Sequence, residues 1–225
     1  MLIENLAAEE ARVLGTLIEK SLATPDYYPM TLNALRTACN QKSSREPVTE
    51  YDEDTVGLAL AGLKRKCLAV FIPYGSSGAY KYRHFLEDPR FDLDKPSLAV
   101  LAVLLLRGAQ TLNEVRTRAS SLHAIASPEQ AEAVLQGLAG RAEPLAELLP
   151  KRPGWKEARW RDLLQAQAHA EEVAPTVGEA QPGTTPAAPS KWDAFEELRR
   201  EVAELQADFA ALKSEVAKIR SELGG

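Results

Sequence analysis

TLNALRT at Thr31–Thr37 returns as TLNEVRT at Thr111–Thr117, identical at five of seven positions. The flanks repeat in the same order. VLGTL (Val13–Leu17) is answered upstream by VLAVL (Val100–Leu104), and LAGL (Leu60–Leu63) is answered downstream by LQGL (Leu135–Leu138). One short match is within reach of chance, but three in kept order point to a helix–helix–helix module built twice.

Around the first copy, Val13, Leu14, Leu17 and Ile18 form a one-faced stripe on a helix over residues 8–22. Thr24-Pro25 and Tyr28-Pro29 end it, because proline disfavours helical geometry at the residue before it. Thr31 is a good cap for a short second helix, with Leu32, Leu35 and Ala38 inward. NQKSSREP (Asn40–Pro47) reads as a polar loop. A third helix is predicted from about Tyr51 or Asp52. Asp52, Glu53 and Asp54 suit its positive end, Lys64, Arg65 and Lys66 suit its negative end, and Val56, Leu60, Leu63 and Cys67 face inward. Then LAVFIPY (Leu68–Tyr74), the turn GSSG and AYKYRHF (Ala79–Phe85) read as a hairpin. Three helices and a hairpin are the order of a winged helix. Tyr27, Tyr28 and Met30, between the first two helices, are expected either to pack on the third helix or to form a docking patch.

The second copy opens with Leu98–Leu106, an unbroken apolar run expected to be more buried than its counterpart. Thr111 caps its second helix, and SPEQ (Ser127–Gln130) starts its third with serine, proline and an acid. LAELLP (Leu145–Pro150) and WKEARWRDL (Trp155–Leu163) supply the second hairpin, with Trp155, Ala158 and Trp160 as packing candidates.

The composition then turns to Ala, Pro, Gly, Thr and Glu, which reads as a flexible linker. Beyond it, Phe195, Val202, Phe209, Val216 and Leu223 recur every seven residues, with Leu198, Leu205, Leu212 and Ile219 between them. That is a coiled-coil seam. Asp208 and Glu215 face Lys213 and Arg220 of a partner only if the helices run parallel, so parallel self-association is expected, as a dimer or a trimer. The alternative is a helix folded back on its own chain. The expected organisation is therefore mainly α with small β-hairpins. Winged-helix domains occupy 1–90 and 91–164, a linker 165–190 and a coiled coil 191–225.

Composition narrows the function classes. Apolar content of 45%, charged content of 26% and a net charge of −5 are those of an ordinary water-soluble chain. The nine-residue run at Leu98–Leu106 is far short of the roughly 20 residues that span a bilayer. Met1–Leu6 lacks the basic start and apolar core of a secretory signal, so a cytoplasmic location without membrane contact is expected. Cys39 and Cys67 lack metal or disulfide spacing and are expected as buried free thiols. Residues 1–90 carry a net −1, residues 91–164 +1 and residues 165–225 −5, so neither copy has the basic excess of a dedicated nucleic-acid binder.

The block TPDYYPMTLNALRTACNQKSSREPV (Thr24–Val48) resembles the YceH-like family of bacterial proteins, as do LLLRGAQT (Leu104–Thr111), EVRTR (Glu114–Arg118) and the closing coiled coil. The resemblance runs from about Leu6 to the C-terminus and is weakest in the linker. It implies a tandem winged-helix fold and carries no catalytic residues. One departure is Ser44, where the family often has asparagine.

Few residues suggest chemistry. His84, His123 and His169 have no neighbour at ligand spacing. Lys42, Ser43 and Ser44 superficially resemble a nucleophile with its base but lack an elbow context. No phosphate-cradling glycine loop occurs. No cofactor and no enzymatic activity are expected. The leading expectation is binding to double-stranded DNA in a regulator-like role. The candidate contacts are Lys42, Arg45, Lys81, Arg83, Arg116, Arg118, Lys156 and Arg159, with Lys151, Arg152 and Arg161 nearby. Against it, Asp52, Glu53 and Asp54, and in the second copy Glu129 and Glu132, sit where a recognition helix meets the major groove, and phosphates repel them. The alternative is a protein–protein adaptor, with the basic residues as ordinary solvated charge.

Overall fold

A computed structural model of the chain describes residues 5–75, 79–151 and 156–165. The first copy runs α1 (Ala8–Ala23), α2 (Leu32–Cys39), α3 (Glu53–Arg65), then an antiparallel hairpin of β1 (Ala69–Tyr74) and β2 (Ala79–His84). The second repeats the order: α4 (Lys95–Arg107), α5 (Leu112–Ala119), α6 (Pro128–Ala139), then β3 (Ala146–Leu149) paired antiparallel with β4 (Arg159–Asp162). The described residues are thus mainly helical with two small hairpins, consistent with a winged-helix-like unit used twice.

The repetition extends to single hydrogen bonds. The residue before each second helix adds a short edge to its hairpin. Met30 and Tyr82 exchange backbone bonds of 3.0 and 2.7 Å, and Gln110 and Trp160 exchange bonds of 2.9 and 2.7 Å. Leu68 N–H reaches back to Leu63 O at 2.8 Å, as Leu145 does to Leu138 O at 3.0 Å. Phe85 N–H donates to Leu68 O, and Leu163 N–H to Leu145 O. Thr31 and Thr111 each accept from the third backbone N–H of the helix they cap, both at 3.3 Å. Glu114 returns a bond to Thr111 N–H at 2.9 Å and completes a capping box, which Ala34 at the equivalent position has no side chain to make. Asp52 and Ser127 cap α3 and α6.

The copies share one core. A single apolar cluster runs from Leu6 to Leu164, and α1 lies against α4 at its centre. Every residue of Leu98–Leu106 is buried. The closest approach is at Gly15, where a Cβ would lie 3.0 Å from both Leu105 Cβ and Leu106 Cγ. Backbone bonds tie the same junction: Glu46 N–H to Leu106 O at 2.9 Å, and Leu6 N–H to Leu164 O at 2.7 Å.

Where the copies differ, the loop after the second helix is the cause. It runs from Asn40 to Asp52 in the first copy and only from Ser120 to Ser127 in the second. The longer loop leaves carbonyls that need donors away from water. Arg12, buried on α1, donates to Cys39 O, Thr49 Oγ1 and Pro47 O. Arg45 donates twice to Ala38 O and twice to the carboxylate of Glu19.

Several expectations are corrected. Cys39 is buried as expected, but Cys67 is exposed. It follows the end of α3 at φ 57°, a left-handed position that turns the chain outward before β1. Tyr28 and Met30 pack on the hairpin. The extended chain at Tyr28 brings Met30 alongside β2 and lets the Tyr28 hydroxyl accept from His84 N–H at 2.6 Å. Tyr27 alone points outward, 83% exposed. Ser44 lies at φ 61°, a region asparagine tolerates better than most residues, so backbone shape accounts for an asparagine preference there. Trp160 is buried and Ala158 half-buried. Trp155, residues 166–190 of the expected linker and the whole heptad seam (Phe195, Leu198, Val202, Leu205, Phe209, Leu212, Val216, Ile219) lie outside the described residues.

Candidate functional site

In a winged-helix-like unit the third helix is the one that presents a face to a ligand. The chain gives α3 and α6 acidic starts. Asp52 Oδ1 accepts from Thr55 N–H at 2.8 Å, and hydrogen bonding from Thr55 holds its carboxyl below the usual carboxylate range. Hydrogen bonding from Ser127 does the same for Glu129 on α6. Both groups therefore stay charged at the helix ends where phosphates would approach.

Past those starts, the outward faces are small or apolar. On α3 they carry Gly57 and Leu58, and Leu58 is 75% exposed. On α6 they carry Glu132, Ala133, Gln136 and Gly137. Base edges in the major groove are read by Arg, Lys, Asn, Gln or acids in paired geometry. Apart from Glu132 and Gln136 on α6, the middle of these faces offers none of them.

The predicted basic residues separate into three groups. Arg45 is the clear correction: it is 5% exposed, and its guanidinium is taken up by Glu19 and Ala38 O, so it cannot reach a phosphate. Arg118 and Arg159 converge on one acid. Arg118 Nη2 is 3.7 Å and Arg159 Nη1 3.9 Å from Glu114, while Arg118 also donates to the Gln110 amide oxygen and Arg159 to Ala109 O. A backbone hydrogen bond from Thr111 lowers the Glu114 pKa, and the two arginines add to it. Arg116 is half-buried on the same helix, its Nε without a hydrogen-bond partner among the described residues, as is Arg36 Nε at the equivalent place in α2.

The third group stays on the surface. Lys42 and Lys156 are exposed. On β2, Lys81 Nζ lies 4.3 Å from the centre of the Tyr74 ring, and Arg83 is 4.0 Å from Glu87. Of the neighbours, Lys151 is exposed, Arg161 is paired with Glu147, and Arg152 lies outside the described residues.

His84 ends β2 wholly buried, with Nε2 3.0 Å from Ser21 Oγ. Burial, with some help from Arg83, pushes its pKa down to about 4, so it is neutral in the folded protein. Glu87, 3.9 Å away, is exposed and screened by water. Among the described residues no group of three or more His, Cys, Asp or Glu side chains is arranged to hold a metal, and no helix is long and apolar enough to cross a membrane.

Leu58 and Arg107 carry no sequence signal. Leu58 reads as one more apolar helical residue, and Arg107 as a base suited to a helix C-terminus.

Residues 6–155 match the family described as "Protein of unknown function, DUF480". The chain is similar to a UPF0502 protein of Pelobacter propionicus, 53% identical over 165 residues that cover 72% of this chain and 74% of that protein. A UPF0502 protein of Geobacter sulfurreducens is 50% identical over 173 residues, covering 75% and 78%. One of Solibacter usitatus is 43% identical over 203 residues, covering 90% and 93%.

Proposed function

This chain belongs to the DUF480 family, and from that premise we propose a non-enzymatic, cytoplasmic binding protein whose two winged-helix units dock another protein. The observation that carries the reading is the face of α3, where an ionised acidic start is followed by Gly57 and the exposed Leu58. Such a surface repels phosphate at its tip and offers apolar area in its middle, which suits a polypeptide better than a duplex. The engagement of Arg45 and Arg159 by protein groups supports the same choice.

Self-association is part of the proposal. The heptad seam from Phe195 to Ile219 and its charge pattern favour a parallel dimer, which would present four winged-helix units to a partner. A chain ending before Trp192 should sediment as a monomer while the full chain does not; a dimer that survives the truncation removes the seam from the account.

DNA binding is the second reading, favoured by Lys42, Lys81, Arg83 and Lys156, which remain on the surface. It would be led by backbone contacts with little base reading. Fluorescence titration of the full chain with mixed-sequence duplex, at low and at moderate salt, separates the two. Docking predicts no saturable binding even at low salt. Saturable binding that is lost at moderate salt, and lost again on charge reversal of Lys81 and Arg83, would overturn docking in favour of DNA.

A further inference from the structure

A cleft of about 230 Å³ opens where the two copies meet. Val103 and Leu106 of α4 give it an apolar floor, and its charged walls are Glu19 and Lys20 from α1, Arg107 from the end of α4 and Arg118 from the end of α5. Three of these four charges are positive. The single acid is already neutralised: Glu19 accepts from Arg45 at 2.6 and 3.2 Å and lies 2.9 Å from Lys20. Although burial alone would raise the Glu19 pKa, the hydrogen bonds and charges of Arg45 and Lys20 bring it down, so it stays an anion facing its own cations.

Arg107 is different. It is half-buried at the end of an otherwise apolar helix, and no hydrogen bond or ion pair to it occurs among the described residues. Burial lowers its pKa first, and the nearby charges of Arg118 and Arg45 lower it further, against weaker opposition from Glu46 and Glu19. Arg118 keeps part of its fork free as well, since only one of its nitrogens is bonded to Gln110 and Glu114 lies at the longer distance of 3.7 Å. Two arginines held toward one small cleft, their repulsion offset only in part by Glu46 and Glu114, are the arrangement an anion completes, because a guanidinium meets carboxylate or phosphate oxygens with paired donors.

We propose that this cleft binds a small organic dianion, a phosphate monoester or a dicarboxylate, with Arg107 and Arg118 on its charged groups and its carbon skeleton on Val103 and Leu106. The size fits that class, since pockets for larger ligands run from about 300 Å³ upward. The site draws on α1, α4 and α5, so its occupant would bridge the two copies. The inference rests on the cleft alone and is independent of whether the third helices dock protein or DNA.

Isothermal titration of the full chain with phenyl phosphate, succinate and inorganic phosphate tests it. At least one organic dianion should bind saturably and more tightly than inorganic phosphate. Which of the two wins identifies the headgroup. Arg107→Gln should weaken that binding tenfold or more, while Lys95→Gln, at an exposed residue at the opposite end of α4, leaves it unchanged. If Arg107→Gln does not fold, Arg107→Lys, which keeps the charge and loses the fork, should weaken binding several-fold. No saturable heat from any of the three probes overturns the proposal. So does inorganic phosphate binding as tightly as both organic dianions, or an Arg107 variant that folds and binds like the parent chain.

Discussion

Helices α1 and α4 occupy the same place in the two copies and solve it with opposite chemistry. Aligning VLGTL with VLAVL sets Arg12 against Ala99, Thr16 against Val103 and Glu19 against Leu106. All six are buried. The second copy follows the simple rule that a central helix is apolar all round. The first carries buried charge because it must fasten a long loop: Arg12 donates to Cys39 O at the end of α2 and to Pro47 O in the loop, and Arg45, itself in the loop, donates to Ala38 O of α2 and to Glu19 of α1. One scaffold therefore tolerates either solution, and the connection between its second and third helices decides which is needed.

The comparison breaks most visibly at Arg45. Arg45→Met takes the paired donors from buried Glu19, leaving it the 2.9 Å contact with Lys20, and should cost about 3 kcal/mol in urea denaturation. Adding Glu19→Leu, which makes the site resemble Leu106 of α4, should recover most of that loss, since a buried pair is often no more stabilising than packed apolar groups. A double variant as unstable as the single one would mean the pair does more than fasten the loop.

The ends of the hairpins differ next. His84 in the first copy stands where Asp162 stands in the second, and both are buried. The fold keeps His84 neutral down to about pH 4, whereas an unfolded chain protonates it near its ordinary value of 6.5. The unfolded state therefore binds the extra proton between those values. The stability linked to His84 is complete above about pH 6.5, falls as pH drops towards 4 and is flat below, a total on the order of 3 kcal/mol. Denaturation curves from pH 7 to 4 should show a steeper fall for the parent chain than for His84→Gln; parallel profiles would reassign the titration.

At the junction, Gly15→Val forces branched methyls against Leu105 and Leu106 and should cost about 1–3 kcal/mol. The smallest effect is present in one copy and absent from the other. Gly62 and Gly137 are equivalent in LAGL and LQGL, yet a Cβ on Gly62 would fall 2.0 Å from Glu10 Oε1, while nothing lies within 4 Å of one on Gly137. Gly137→Ala should therefore gain about 0.5–1 kcal/mol from helix propensity. Gly62→Ala should gain nothing, because Glu10 must leave its 2.6 Å contact with Lys66.

Much of this was legible in the sequence. Thr31, Asp52, Thr111 and Ser127 announce their helices because a cap is a local contact between near neighbours. The apolar run of α4 announces its burial. Cys67 is harder to place, because periodicity does not say where a helix stops: α3 ends at Arg65, and Cys67, two positions on, takes the left-handed turn itself. Arg45 was misread for another reason: a polar loop looks solvated in sequence, and only the fold reveals that it lies across Glu19. Arg107 gave no warning, since its importance comes from Arg118 and Lys20 arriving from other helices.

The central claim is that two copies of one unit are fused through α1 and α4 into a single core. It is tested most directly by unfolding the full chain, in a Cys67→Ser, Trp155→Phe, Trp192→Phe background that removes the exposed thiol and the other two tryptophans, while following each copy separately. Trp160 fluorescence reports the second copy, and access of a thiol reagent to buried Cys39 reports the first. Fusion predicts that both transitions share one urea midpoint, and that Gly15→Val shifts them together. Two separated midpoints in the parent chain, with one copy unfolding while the other stays intact, would contradict it.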